Sequence, residues 1–501
     1  MSRAHTIKQL ALWPAFASLG YAFWVLGGME LLERLAYFAV KTVRVLYATG
    51  PISSGGLGLP LTKVGLVLSA WALVQTTVPI ALGGIADRLG LRQILLAATA
   101  CKVASYVLMA FLPSYAGFLA SAVLLAFGTG IFKPTVQGWV VKVTDRRVSS
   151  VAWGVFYQTV NIGSFLGPVV AASLRQIGWR YLFLCCAGII ALNSIALLTF
   201  KDNKRPATAG VGTRLQGMWR DAIGEIRRSE VLLYLLAFSG FWFMFLSLFD
   251  LLPLFVQEWV DTRQLVRAIF GGQAASSPLV IFLLGMSNSG DSIRPEGVLN
   301  VDSLMIMSTC LLVAGVGARF RPVHSMVIGT TLCALALLAL GATHTAWPCV
   351  AAVMAFSVGE MLSGPKFLEF LGNLAPPERS AMYLGFSQLP QGIGAVLEGY
   401  LGPLWYGQWS SKELFSRQYL LDHGYSAAMV DRIPSGDAFT ALLRVTHVSS
   451  ESLTQILYQE HSVGRIWYIF GGIGVLSALG LHLYGRWLPR RDRRAGRGSD
   501  E

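Results

Sequence analysis

Charged residues are scarce in this chain. Asp, Glu, Lys and Arg make up 13% of its 501 residues, whereas an average soluble domain carries about 25%. The six cysteines fall in or at the ends of apolar runs without metal-ligand spacing, so we interpret them as small packing residues. The sequence has no H-E-x-x-H motif, nucleophile elbow or nucleotide-binding loop, so we expect neither enzymatic activity nor any metal or organic cofactor.

Apolar sequence, by contrast, is abundant. Hydrophobic residues make up 54% of the chain, and runs of about 20 apolar residues, enough to cross a bilayer as a helix, recur along it. The predicted spans are 19–48, 63–85, 92–112, 115–140, 150–174, 179–200, 231–258, 299–318, 323–343, 346–371, 380–406 and 464–487. We therefore predict an all-α polytopic membrane protein with twelve transmembrane helices, embedded in a lipid bilayer.

The distribution of positive charge follows this topology. The net charge is +13, and its basic residues cluster in the short loops after even-numbered spans and in the C-terminal tail. By the positive-inside rule, these loops and both termini lie in the cytoplasm, with the protein in the inner or plasma membrane. The basic excess is thus a mark of topology, and we expect no nucleic-acid partner.

The twelve spans form two halves of six helices, an arrangement typical of one large transporter architecture. The predicted parts are an N-terminal half 1–200, a cytoplasmic linker 201–230, a C-terminal half 231–487 and a basic tail 488–501. Residues 407–462 form a loop too long to be a simple connection, and we predict a small folded extracytoplasmic insert there. Helical periodicity within it is weak and centres on Ser449–Tyr458.

The first predicted span carries charged residues in the middle of its apolar run. A charged side chain at the bilayer centre costs about 2.5–3.5 kcal/mol on insertion scales. The polar residues recur at steps of three and four, so they share one helix face. They are Glu30, Glu33, Arg34, Tyr37, Lys41 and Arg44. A salt-bridged packing face is the structural alternative, but three cations and two acids exceed what packing needs, so we predict a role in ion or substrate movement.

Five short motifs occur in matching spans and in a recognisable order. They are Glu30-x-x-Glu33-Arg34, Gly83-Gly84-x-Ala86-Asp87-Arg88, Gly128-Thr129-Gly130-Ile131-Phe132-Lys133-Pro134, Phe156-Tyr157-x-x-Val160-Asn161-x-Gly163-Ser164 and Glu360-x-x-Ser363-x-Pro365. Together they resemble the proton-dependent oligopeptide transporter family of the major facilitator superfamily. The resemblance covers both halves of the chain.

This resemblance implies the major facilitator fold and proton-coupled symport of di- and tripeptides, or a related small solute, by alternating access. The implied proton-coupling residues are Glu30, Glu33, Arg34, Lys133 and Glu360. The implied substrate-binding residues are Tyr37, Phe38, Lys41, Lys133, Asn161, Asn300 and Glu360. The implied gating residues are Lys41 with Asp250 on the outer side, and Asp87 with Arg88 at the cytoplasmic surface.

Departures from the family pattern leave the substrate open. Phe38 replaces a tyrosine of the first-span motif, Lys41 replaces an arginine, and Thr76 or Thr77 stands where a tyrosine is common. The two replaced tyrosines each have a phenolic hydroxyl. Without them, the expected peptide pocket loses two hydrogen-bond donors. A transporter or exporter of another small solute therefore stays open, as do a non-transporting membrane sensor or scaffold and, least favoured, a membrane enzyme.

Overall fold

The structure is a computed structural model that describes residues 12–82, 90–145, 147–199, 224–374 and 386–497. Within these ranges the chain forms nineteen α-helices, here α1 to α19. The N-terminal helices are α1 Leu12–Ala17, α2 Tyr21–Thr49, α3 Leu61–Leu82, α4 Leu91–Phe111, α5 Tyr115–Val143, α6 Ser149–Leu174 and α7 Trp179–Leu198. The others are α8 Ser229–Trp259, α9 Arg263–Ile269, α10 Pro278–Leu283, α11 Pro295–Gly317, α12 Pro322–Gly341, α13 Ala346–Leu374, α14 Gln388–Trp409, α15 Lys412–Asp422, α16 Ala427–Asp431, α17 Ala438–Thr446, α18 Ser450–Glu460 and α19 Arg465–Arg497.

Twelve helices in the described ranges have 20 residues or more, and ten of these are also apolar enough to cross a membrane. The two exceptions are α2 and α14. Helix α2 carries the charged stripe, that is, the helix face with Glu30, Glu33, Arg34, Tyr37, Lys41 and Arg44. Helix α14 is rich in glycine and glutamine. The prediction of an all-α polytopic membrane protein is confirmed, and most predicted spans end within a few residues of the helices. The last two spans are exceptions, because α14 begins at Gln388 while residues 380–385 lie outside the described part, and α19 continues ten residues beyond 487.

Local sequence explains where several helices begin and why prolines do not end them. The hydroxyl of Ser114 accepts a hydrogen bond from the backbone N–H of Gly117 and so caps α5. Pro295 and Pro322 occupy the first turns of α11 and α12, where a missing N–H leaves no hydrogen bond unmade. Prolines inside α5 and α8 are tolerated because neighbouring membrane helices compensate the lost backbone bond.

Contacts divide the chain into two compact units. The first unit comprises residues 1–43 and 74–207, and the second comprises 44–73 and 208–501. The division therefore cuts α2 after Val43 and α3 after Leu73. The predicted linker 201–230 lies largely outside the described residues, and the predicted domain boundaries stay a prediction.

In the first unit, α4 packs against α5 and α7, while α2 approaches α6 closely at two glycines. A Cβ atom at Gly163 would lie 2.5 Å from Cβ of Arg34, and one at Gly167 would lie 2.7 Å from the carbonyl oxygen of Leu35. These two glycines form a G-x-x-x-G pattern, which allows membrane helices to approach backbone to backbone. The charged stretch of α2 is thereby held against α6.

In the second unit, α8 packs against α14 and α19, and α13 packs against α11 and α12. The N-terminal part of α3 contacts α14, where the hydroxyl of Ser69 donates to the carbonyl oxygen of Val396 at 2.8 Å. A Cβ atom at Gly399 would lie 2.9 Å from the backbone nitrogen of Ser69, so α14 requires a small residue there. Residues 44–73 are therefore integrated into the packing of this unit.

Four short helices, α15 to α18, fill most of the predicted insert 407–462. Serines cap three of them, since Ser411, Ser426 and Ser449 each accept a backbone hydrogen bond from the first turn of α15, α16 and α18. The guanidinium of Arg417 donates to the carbonyl oxygens of Val430 at 2.8 Å and Ile433 at 2.9 Å. These bonds join α15 to α16 and to the residues that follow it.

A buried lysine attaches this insert to the end of α8. Nζ of Lys412 donates 2.7 Å hydrogen bonds to the carbonyl oxygen of Glu258 and to Oγ1 of Thr454, and it lies 3.8 Å from the ring centroid of Phe439. The insert also reaches the connection between α2 and α3, where Ser53 donates to Asp437 at 3.1 Å. The insert thus contacts the C-terminal end of α8 and the connection that follows α2.

Candidate functional site

The first-span acids and Arg34 form a buried ion-pair cluster in the first unit. Nε of Arg34 lies 3.1 Å from Oε1 of Glu30, and Nη2 of Arg34 pairs with Oε2 of Glu33. Glu30 and Glu33 are each 1% exposed, and Arg34 is 6% exposed. The structure therefore brings together the three charges that the sequence placed on one helix face.

A fourth member of the cluster was missed by the sequence analysis. Lys102, near the middle of α4, donates a hydrogen bond from Nζ to Oε1 of Glu33 at 2.5 Å and is 1% exposed. Its ammonium also lies 4.0 Å from the ring centroid of Phe132 on α5, a favourable cation–π position. The signal in the sequence was a lone lysine inside an otherwise apolar run, the same kind of anomaly that drew attention to α2.

The two acids of the cluster differ in the number of cations that they contact. Each carboxylate oxygen of Glu33 faces its own cation, Lys102 on one side and Arg34 on the other. Glu30 has only Arg34, and within the described ranges its Oε2 has no hydrogen-bond partner. Glu33 thus has two cations at ion-pair distance, whereas Glu30 has one in the described part of the chain. With two acids and two cations, the buried cluster is electrically balanced.

The remaining predicted residues of the first unit are partly gathered around this cluster. The hydroxyl of Tyr37 donates to Oε1 of Gln75 at 3.2 Å, which brings α3 to the same helix face. Nζ of Lys41 lies 5.7 Å from the ring centroid of Phe38 and 6.0 Å from that of Tyr37. Asn161 is partly exposed on α6.

Lys133, which the resemblance implies to act in proton coupling and substrate binding, lies near the cluster without being part of it. It is exposed on α5 and lies within electrostatic range of Glu30, but in the described part of the chain it forms no ion pair. Lys102 forms the direct contact with a first-span acid instead. The reason is geometric, since α4 presents its lysine to Glu33 within a buried contact.

In the second unit, the carboxylate of Asp250 on α8 is bound by Arg44. Nη2 of Arg44 donates to both Oδ1 and Oδ2 of Asp250 at 2.7 Å, and both residues are buried. The expected partner was Lys41, so the structure places a different cation of the same stripe at this carboxylate. Arg44 stands one helical turn further along α2, and its guanidinium also lies 4.6 Å from the ring centroid of Trp71.

Other predicted residues of the second unit lie on α11 and α13. Asn300 is buried on α11, and Glu360 is partly exposed on α13. Between them the structure shows a carboxyl group that the sequence analysis did not single out, Asp302, whose Oδ1 lies 2.6 Å from the hydroxyl of Ser357. The predicted cytoplasmic pair, Asp87 and Arg88, lies outside the described residues.

Two relatives by sequence are named multidrug resistance proteins. Multidrug resistance protein MdtH of Edwardsiella ictaluri is 22% identical over 349 residues, covering 70% of this chain and 78% of the relative. Multidrug resistance protein MdtH of Aeromonas hydrophila is 22% identical over 384 residues, covering 76% and 86%. The sequence similarity is thus spread over most of both chains.

Solved structures of peptide transporters share the fold. Peptide transporter POT in complex with sulfate superposes with a TM-score of 0.67 at 16% identity, over 96% of this chain and 99% of that one. A POT family transporter in complex with 5-aminolevulinic acid gives 0.66 at 15% identity, over 93% and 97%. The family model of the Major Facilitator Superfamily matches residues 34–397. Since that match spans well over half of the sequence, this chain belongs to the Major Facilitator Superfamily and is a membrane transporter.

Proposed function

We propose that this transporter couples the movement of protons to symport of a small, carboxylate-bearing solute of the di- or tripeptide class, by alternating access. The observation that carries the proposal is the buried, balanced cluster of Glu30, Glu33, Arg34 and Lys102. Burying four charges costs several kcal/mol per ion before pairing is counted, so packing alone is a poor reason to keep them. A titratable cluster in the membrane is the usual device for proton movement.

Charge balance explains how a proton would favour solute binding. When Glu30 takes up a proton, the cluster changes from neutral to one uncompensated positive charge. In a low-dielectric surrounding that charge attracts an anion strongly, and the carboxylate of a peptide supplies one. Lys133, exposed on the same unit, adds a second cation for this carboxylate. Proton and solute therefore stabilise each other's binding, which is the thermodynamic requirement of symport.

Within this proposal the two acids have separate roles. Glu30 exchanges the proton, while Glu33 is the fixed anion that positions Arg34 and Lys102. Glu360 on α13 keeps its implied substrate-binding role, and as an acid it would bind the amino group of a peptide. Alternating access of the two six-helix halves follows from the architecture of the superfamily.

A second candidate is proton-driven export of a different small solute. It is favoured by the curated relatives, which are named multidrug resistance proteins. The absence of the two expected tyrosines, at Phe38 and at Thr76 or Thr77, also weakens the case for ordinary peptides. In an exporter the proton and the solute must compete, and the positive charge that protonation of Glu30 leaves in the cluster would repel a cationic solute.

The test uses the purified full-length protein in proteoliposomes with an inward proton gradient and radiolabelled dialanine as probe. We expect gradient-dependent accumulation in the wild type and its loss in Glu30→Gln, with exchange of labelled for unlabelled dialanine retained. Glu451→Gln removes an exposed carboxylate of the insert that pairs with Arg263, and it serves as the control. Failure of the wild type to take up dialanine, or of any dipeptide to compete, rejects the peptide class. Gradient-driven expulsion of a solute favours the exporter.

A further inference from the structure

One buried carboxyl group has no place in the mechanism proposed above. Asp302 lies on α11 and is 3% exposed. In the described ranges it forms no ion pair, and its side chain contacts one polar partner, the hydroxyl of Ser357 on α13. An ionised carboxylate buried without a cation is costly enough that such groups normally take up a proton instead.

The number of hydrogen bonds that Ser357 can donate also indicates that Asp302 takes up a proton. Oγ of Ser357 lies 2.6 Å from Oδ1 of Asp302 and 2.9 Å from the carbonyl oxygen of Val353. A hydroxyl has one hydrogen and can donate to only one of these acceptors at a time. If Asp302 is protonated, its O–H donates to Ser357 and the Ser357 hydroxyl donates to Val353, so both short contacts become hydrogen bonds. If Asp302 is ionised, Ser357 must turn its hydrogen toward the carboxylate.

We propose that Asp302 is a second proton-binding group of this transporter, located in the second unit and linked through Ser357 to α13. The inference deepens the proposed function, on which it rests for the link to transport. A proton taken up at Asp302 turns the Ser357 hydroxyl toward Val353, and its release turns the hydroxyl back. The bond that changes is a single O–H on a carboxyl group, and water supplies and receives the proton.

Several titratable groups share this environment. Glu360 stands one turn beyond Ser357 on α13, and both Asp302 and Glu360 lie within electrostatic range of the Cys333 thiol on α12. The helix α8 contributes Asp250, whose charge is offset by Arg44, with Glu230 and Glu258 near its two ends. Asp302 also shares α11 with the buried Glu296. Within the described residues, none of these neighbours supplies a cation that pairs with Asp302.

Infrared spectroscopy of the purified protein in lipid vesicles tests this assignment without a transported solute. The wild type should show a carboxylic-acid C=O band that disappears when the pH is raised. Asp302→Asn, whose amide still bonds to Ser357, should lose that band, and Ser357→Ala should shift its frequency. Asp291→Asn is the control, since hydrogen bonds from Ser287 and Ser289 lower the pKa of Asp291 to about 2 and keep it ionised. An unchanged set of acid bands in Asp302→Asn overturns the proposal.

A transport measurement then tests the link to coupling. With dialanine as the probe, Asp302→Asn should lose gradient-driven accumulation while retaining exchange of labelled for unlabelled dialanine. Full accumulation in Asp302→Asn overturns the coupling role. If the wild type does not carry dialanine, the proposed function fails, but the infrared experiment still decides whether Asp302 binds a proton.

Discussion

Nη2 of Arg44 lies 2.7 Å from both carboxylate oxygens of Asp250, although 206 residues separate the two in sequence. Both side chains are buried, so the pair joins the C-terminal part of α2 to α8 without screening by water. Any motion that separates these helices must first break this pair.

Removing one partner should therefore destabilise the protein. We expect Asp250→Ala to cost about 3–5 kcal/mol, because it leaves the Arg44 guanidinium buried and uncompensated. Lys41→Ala, on the same helix face, should cost about 1 kcal/mol or less, as a partly exposed cation beside aromatic rings is worth no more. Unfolding of the purified proteins in detergent measures the difference. Equal losses in the two variants would restore Lys41 as the partner of Asp250.

Lys102 should be coupled energetically to Glu33. We expect Lys102→Met to destabilise by about 3–5 kcal/mol, since it deprives a buried carboxylate of one of its two cations. The double variant Lys102→Met with Glu33→Gln should lose less than the sum of the two single losses, by about 0.5–3 kcal/mol. A double-mutant cycle on unfolding free energies gives this coupling directly. Strict additivity would mean that the short contact contributes nothing to stability.

Alanine substitutions at two glycines of α6 should change the stability of the protein in opposite directions. Gly163→Ala places a methyl group 2.5 Å from Cβ of Arg34, so α2 and α6 must separate, at a cost of about 1–3 kcal/mol. Gly154→Ala meets no atom within 4 Å and should stabilise the helix by about 0.5–1 kcal/mol. Thermal unfolding compares them. A neutral Gly163→Ala would show that the α2–α6 contact yields without cost.

Lys412 should make the insert more stable as the pH rises. Burial lowers the pKa of Lys412 to about 8, an effect that the nearby Glu258 carboxylate partly offsets. Because the unfolded lysine has a pKa of about 10.4, the unfolded state binds the proton more tightly, and stability increases between pH 8 and 10.4 by about 3 kcal/mol at most. Hydrogen exchange in α15 and α18 at neutral and alkaline pH measures this change.

The matched variants separate Lys412 from other titrating groups. Lys412→Met should abolish the pH-dependent gain in the insert, whereas Lys63→Met, at an exposed position of α3, should retain it. If the gain persists in Lys412→Met, another group is responsible for it.

Much of this architecture was readable from hydrophobic runs, because a bilayer imposes a length and a composition on each helix. The predicted span 115–140 and the observed helix Tyr115–Val143 show how closely the two agree. The short helices of the insert were harder to predict. Periodicity around Ser449–Tyr458 marked one of them, α18, while α15 to α17 depend on tertiary bonds such as those of Arg417.

The charges of the site were predictable as anomalies, but their partners were not. An ionisable residue in an apolar run can be recognised in the sequence alone, as Glu30 and Glu33 were. Which cation reaches which acid depends on helix rotation and packing, and so Lys102 and the pairing of Asp250 with Arg44 emerged only from the structure. The surroundings of Asp302 could not be predicted for the same reason. Only the structure shows that a serine hydroxyl, and within the described residues no cation, lies beside this carboxyl group.

The charged helix α2 also has a mechanical property. From Met29 to Thr49 it contains neither glycine nor proline, so nothing in its sequence favours a kink. Glu30 and Arg44 are 14 residues apart, which corresponds to about 21 Å of stiff helix. A rotation of α2 about its own axis therefore turns Glu30 and Arg44 through the same angle, so the directions of these two charges stay locked to each other.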